Sequence, residues 1–106
     1  MSSGTDRRVA MCLMAHPDDC EILAAGTLAH LAKRGWEVHI ATMSPGDCGS
    51  MELGPEAIAA TRRAEGVAGA AVIGATYHCL ESRDLYIMFD EPTLRRVTSL
   101  MREIAP

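Results

Sequence analysis

An unbroken apolar run, Val9 to Ala15, follows a polar opening and gives way at once to His16-Pro17-Asp18-Asp19. Such a run predicts a parallel strand covered on both faces, because a half-buried strand would alternate with polar residues. The spacing then changes. Ile22, Leu23, Ala25, Leu28, Ala29, Leu31 and Ala32 recur at helical intervals and predict a helix over 19–34. Lys33 and Arg34 suit the negative end of its dipole, and Gly35 supplies a left-handed stop. Trp36 to Met43 reads as a second strand and Ser44 to Gly54 as a glycine-rich loop. Pro55 opens a second helix that runs to about Ile73 and ends on Gly74. Gly66 and Gly69 weaken that helix intrinsically, so they predict close packing on a neighbour. Ala75 to Leu80 gives a third strand. Asp90 caps a third helix, near Glu91–Ala105, with Leu94, Val97, Leu100 and Ile104 at helical spacing.

Strands and helices alternating in this way predict right-handed crossovers and an α/β fold around a parallel sheet. At 106 residues there is room for one domain at most: a flexible tail over 1–8, then a single unit over 9–106. The order stops on a helix where a fourth strand is due, and a three-stranded parallel sheet would expose an apolar edge. The pattern is therefore that of a truncated unit, whose edge a further stretch of chain or a partner subunit, such as a second copy, is expected to cover.

Composition narrows the function. Apolar residues make up 48% and aromatic ones 4%, which fits aliphatic and alanine packing. The formal charge is −4 with no basic stripe, which argues against nucleic acid as a partner. Arg7-Arg8 before an apolar run resembles the start of a signal peptide. The run lacks a cleavage site and is too short to span a bilayer, so no membrane association and a cytoplasmic location are expected. The cysteines form no C-x-x-C pair. Cys12 and Cys79 read as buried small hydrophobes, Cys20 and Cys48 as reduced thiols in loops.

The chemistry concentrates after the first strand. Ligands of open parallel sheets bind beyond the strands' carboxyl ends, and His16, Asp18 and Asp19 fall there. One imidazole and two carboxylates offer a borderline-hard metal its preferred ligands. The competing account is that the aspartates only cap the helix and His16 is incidental. No G-x-G-x-x-G follows the strand, which argues against a dinucleotide site.

His16-Pro17-Asp18-Asp19-Cys20-Glu21, with Gly26-Thr27-Leu28-Ala29 downstream, resembles the LmbE/PIG-L family signature A-H-P-D-D-x-E and G-G-T-L-A, with Ala25 replacing the first glycine of the second block. Thr42, the loop Gly46-Asp47-Cys48-Gly49, Arg62-Arg63-Ala64-Glu65 and Asp84 extend the match. The resemblance implies a Rossmann-like three-layer sandwich and a zinc-dependent hydrolase that removes N-acetyl groups from small molecules, commonly N-acetylglucosaminyl compounds. It further implies that His16 and Asp19 are zinc (Zn2+) ligands, Asp18 the general base, Arg62 and Asp84 substrate-binding residues, and Glu21 a group standing behind the ligands. Each of the last three has a plainer account: an Arg62–Glu65 pair on one helix face, a solvated loop acid at 84, and an ordinary first-turn glutamate at 21.

The family takes a third zinc ligand and a further catalytic histidine from an H-x-x-H segment that 1–106 does not contain. His30 and His39 read as structural or surface residues. With the implied strand order 3-2-1, His78 stands ~10 Å from the first strand, too far for easy ligation. Two protein ligands rarely hold catalytic zinc, so this stretch alone is expected to be weak or inactive. The alternative from another class is a non-catalytic module that binds a small ligand.

Overall fold

A computed structural model describes residues 7–47 and 54–106. The strands are β1 (Val9–Met14), β2 (Glu37–Thr42) and β3 (Thr76–Cys79), and the helices α1 (Asp19–Lys33), α2 (Pro55–Val72) and α3 (Glu91–Ile104). The sheet order is β1-β2-β3 and both pairings are parallel, with Met14 beside Thr42 and Thr42 beside Cys79 at the carboxyl ends. Every predicted element is present, shifted by no more than a residue or two at its ends. Gly35 and Gly74, at φ 88° and 74°, supply the left-handed turns that end α1 and α2. The Asp90 carboxylate accepts the Thr93 N–H at 3.0 Å and caps α3.

Two-residue alternation along β2 divides the core into two layers. Val38 and Ile40 face α1 and α2, packing with Cys20, Leu28 and Ala70 and with Cys12 and Met14 of β1. Ala41 faces the other way, with Leu80 and with Leu100 and Ile104 of α3, against Met11 and Leu13. Each buried aliphatic side chain contributes roughly 1.5–3 kcal/mol. The result is the three-layer α/β sandwich that the pattern and the resemblance predicted.

Both glycines inside α2 lie where close packing was expected. A Cβ on Gly66 would stand 2.8 Å from the Tyr77 ring, and one on Gly69 would stand 3.0 Å from the Glu21 carboxylate. Tyr77 lies flat on α2 because position 66 has no side chain, and its hydroxyl bonds the Thr42 hydroxyl at 2.6 Å. Burial pushes the Tyr77 phenol up to about 12.

One expectation is corrected. Cys20 is not in a loop: it stands in the first turn of α1, 1% exposed, its Sγ 3.6 Å from the Cys12 carbonyl oxygen. Burial pushes its thiol up, as for an inert core residue. The readings that fall on Cys48 and on residues 1–6 lie outside the described residues. Arg7 and Arg8, assigned to the tail, meet β2: Arg7 pairs with the Glu37 carboxylate at 2.6 Å and the Arg8 carbonyl accepts the Glu37 N–H at 2.9 Å.

Among the described residues β1 pairs with β2 alone, so its second edge is unpaired. Its residues are all half-buried, whereas β2 is buried from Val38 to Thr42. Among the described residues no helix is long and apolar enough to cross a membrane.

Candidate active site

The site grows out of the turn between β1 and α1. Pro17 fixes its own backbone, and Asp18 follows in the left-handed region at φ 83°. Aspartate tolerates that conformation better than most residues. The kink lets the Asp19 N–H reach the His16 carbonyl at 3.2 Å and the Ile22 N–H reach the Asp18 carbonyl at 3.0 Å. Asp18 thus occupies the N-cap position of α1 without making a side-chain cap. Its carboxylate is exposed and points to Arg62, Oδ2 to Nη1 3.2 Å. Asp19 turns the opposite way: its Oδ2 accepts the His16 main-chain N–H at 2.9 Å and stands 3.8 Å from His16 Nδ1. Neighbouring aspartates therefore face different groups.

Arg62 reaches across from α2 and donates from Nη2 to the Pro17 carbonyl at 3.1 Å. The guanidinium serves the turn rather than its helix neighbour Glu65. Gly46, left-handed at φ 78°, leaves room for it; a Cβ there would stand 3.4 Å from Arg62 Nε. Among the described residues that buried Nε has no hydrogen-bond partner.

Asp84 is not a solvated acid. It is 8% exposed, and its Oδ1 stands 2.5 Å from His16 Nε2. The loop that carries it is bent by two left-handed residues, Glu81 at φ 60° and Leu85 at φ 67°. Its main chain is anchored by Asp47, whose Oδ1 accepts the Asp84 N–H at 2.5 Å. Sequence reasoning gave Asp47 no role. The only signal was its place in the Gly46-Asp47-Cys48-Gly49 match. The Glu21 carboxylate lies over Gly69 of α2. An open cleft of about 810 Å³ adjoins the site, lined by Asp47, Pro55, Ala59, Arg63, Glu81 and Arg83 among others. Arg63 pairs with Glu81 at its wall and draws that carboxyl below its ordinary range.

Zinc ligands stand ~2.0–2.2 Å from the ion, so in a tetrahedral site two donor atoms lie ~3.3–3.6 Å apart. The 3.8 Å between His16 Nδ1 and Asp19 Oδ2 is a little wider than that, a gap that a small side-chain rotation closes, and both atoms belong to ligand types zinc accepts. They are half a site: among the described residues no three His, Cys, Asp or Glu side chains converge as a metal would need. His78 does not complete it, being two strands from β1 and bonded to His39.

A parallel sheet that presents a histidine, two divergent acids and an arginine beyond its strand ends has the frame of an α/β enzyme of small-molecule chemistry. Residues 11–106 match the GlcNAc-PI de-N-acetylase (PIG-L) family, and the chain belongs to it. A 4-oxalmesaconate hydratase of Pseudomonas putida is 27% identical over 109 residues, which is 96% of this chain and 42% of that protein. The 4-carboxy-2-hydroxymuconate hydratase of P. putida superposes with TM-score 0.85 at 26% identity, over 93% of this chain and 44% of the other. An N,N'-diacetylchitobiose deacetylase of Pyrococcus horikoshii superposes with TM-score 0.88 at 30% identity, over 96% and 39%. The chain spans less than half the length of these relatives. The family thus includes deacetylases and hydratases and is generally metal-dependent.

Proposed function

We infer that the complete protein is a zinc-dependent hydrolase that removes an N-acetyl group from an N-acetylglucosaminyl or related small molecule. The observation that carries this reading is the divergence of the two aspartates. Asp19 faces His16, whereas Asp18 has no capping bond and lies exposed beside Arg62. A metal-assisted hydrolase needs both: one carboxylate to hold the ion and another placed to take a proton. His16 and Asp19 would hold the zinc, and a third ligand would come from outside the described residues. When bound, zinc supplies Lewis acidity, polarising an amide carbonyl and lowering the pKa of water.

In this reading Asp18 accepts the proton of the attacking water as its oxygen bonds the carbonyl carbon. The same proton passes to the amine nitrogen as the C–N bond breaks, leaving acetate and a free amine. Arg62 holds the Asp18 carboxylate in place, and the resemblance assigns its guanidinium to the substrate as well. Asp84 is assigned to substrate hydroxyls and Glu21 to support behind the ligands, the role that the resemblance gives each.

The test is acetate release from N-acetylglucosaminyl compounds by the full-length protein, with zinc measured alongside. Asp18→Asn keeps the shape and removes the basic oxygen. Zinc should stay while turnover falls by a factor on the order of 10²–10⁴. Loss of zinc, or near-normal turnover, would show the assignment to be wrong. A second reading rests on the hydratases among the relatives, since adding water to a double bond needs the same proton acceptor. Hydration of an unsaturated acid with no acetate release would favour it.

A further inference from the structure

We propose that Asp47 is a positioning residue for the metal-site histidine: it holds the Asp84 main chain so that the Asp84 carboxylate fixes the His16 ring. The inference rests on the reading of His16 as a metal ligand. Asp47 follows β2, Asp84 follows β3 and His16 follows β1, so one chain of contacts links all three carboxyl ends of the sheet. Asp47 Oδ1 accepts the Asp84 N–H at 2.5 Å, and Asp84 Oδ1 meets His16 Nε2 at 2.5 Å.

A histidine that binds metal through one ring nitrogen usually gives the other N–H to a carboxylate, which sets its tautomer and its direction. With Nε2–H donated to Asp84, the lone pair is left on Nδ1, the nitrogen nearer Asp19. The carboxylate can do this only if its loop is held. That loop is bent by the left-handed residues Glu81 and Leu85 and forms no regular ladder there. Other main-chain bonds tie it to Thr42 at the end of β2 and to Met43 just beyond, from Leu80 and Ser82, both before the acid; the Asp84 N–H goes to the Asp47 side chain.

Asp47 is itself well placed to be rigid, with a side chain 10% exposed. Its second oxygen stands 3.6 Å from Arg83 Nε, but that arginine side chain is 70% exposed and the pair adds little. The hydrogen bond to Asp84, rather than the charge, is what position 47 provides. Asparagine can accept the same N–H; alanine cannot, and it leaves a buried donor without a partner.

The experiment uses the full-length protein and Zn2+ alone as probe. Affinity is read by chelator competition and the His16 ring by long-range proton–nitrogen spectra of the metal-free protein. Asp47→Ala should weaken zinc binding by about 10–100-fold and shift the His16 ring nitrogens away from the single wild-type tautomer. Asp47→Asn should restore both to within roughly 3-fold, because the acceptor returns. Should the alanine variant not fold, Asp47→Ser takes its place, since the hydroxyl is too short to reach the amide; the same losses are expected of it. A folded alanine or serine variant with lowered Tm but unchanged zinc affinity and an unchanged His16 spectrum overturns the proposal, as does an asparagine variant as impaired as alanine. If wild type and His16→Ala bind zinc alike, the metal-site reading itself falls and the proposal falls with it. That result differs from a silent Asp47 variant beside a zinc-deficient His16→Ala.

Discussion

Two histidine clusters sit on one sheet, and they are built to opposite ends. His16, past the end of β1, is half-exposed; its Nε2 meets Asp84, while its Nδ1 is 3.8 Å from the nearest carboxylate, too far for a hydrogen bond. His39 lies inside β2 with a side chain 11% exposed. Its Nδ1 bonds His78 Nε2 at 2.8 Å, its Nε2 bonds Glu37 at 2.7 Å, and the two rings stack at 5.0 Å. Glu37 in turn pairs with Arg7, which holds its carboxyl down at about 2. Counting histidines and acids would rank the clusters equal. What separates them is where the nitrogens go: a ring with both nitrogens engaged braces a structure, and one with a nitrogen left over can take a ligand.

The largest expected effect breaks that comparison directly. In the full-length protein His16→Ala should abolish zinc binding while His39→Ala leaves it intact, measured by metal content after dialysis. Equal zinc loss in both would mean that the inner cluster, too, serves a metal. Next comes stability. His39→Ala removes the middle of a partly buried hydrogen-bonded chain and should cost about 1–2 kcal/mol in denaturant unfolding. The matching loss for metal-free His16→Ala should be smaller, because that ring is more exposed.

A smaller effect is the pH dependence of the inner cluster. Burial first, then the neighbouring His39, lowers the His78 pKa, with Glu103 of α3 opposing them. The unfolded chain therefore takes up the proton first. The contribution to stability is present above the unfolded value near ~6.5 and is lost as pH falls below it through the lowered folded value. Melting temperature should drop between neutral and mildly acid pH, and His78→Asn should flatten that slope. The smallest effect is expected of Arg7→Ala. Its pair with Glu37 is solvent-exposed, so Tm should barely move at physiological salt, while Glu37 titrates closer to its ordinary range.

How much of this was legible depended on range along the chain. The strands, helices and stops were readable because apolar runs, helical spacing and Gly35 or Gly74 are local features. The candidate metal turn could be picked out for the same reason: His16, Asp18 and Asp19 lie within four residues. Cys20 was misplaced because helix and loop cues overlap within the first turn of α1. Helix-face arithmetic offered Arg62 a partner in Glu65, but tertiary packing brought Asp18 from another element. Asp47 could not be found at all by spacing, since its importance lies in a backbone N–H 37 residues away. Asp84 was likewise open between a solvated acid and a site residue until the loops of three strands were brought together.

The left-handed residues have a consequence for anyone engineering this protein for robustness. Asp18, Glu81 and Leu85 each hold a backbone conformation that costs a side-chain-bearing residue roughly 1–2 kcal/mol and glycine almost nothing. A selection for heat resistance alone would thus be drawn to glycine at all three positions. At 81 and 85 the exchange would remove strain from a loop. At 18 it would remove the carboxylate to which the proposed mechanism gives the proton, so the sturdier protein would be the one that had lost it, and a screen scored only on survival would favour it.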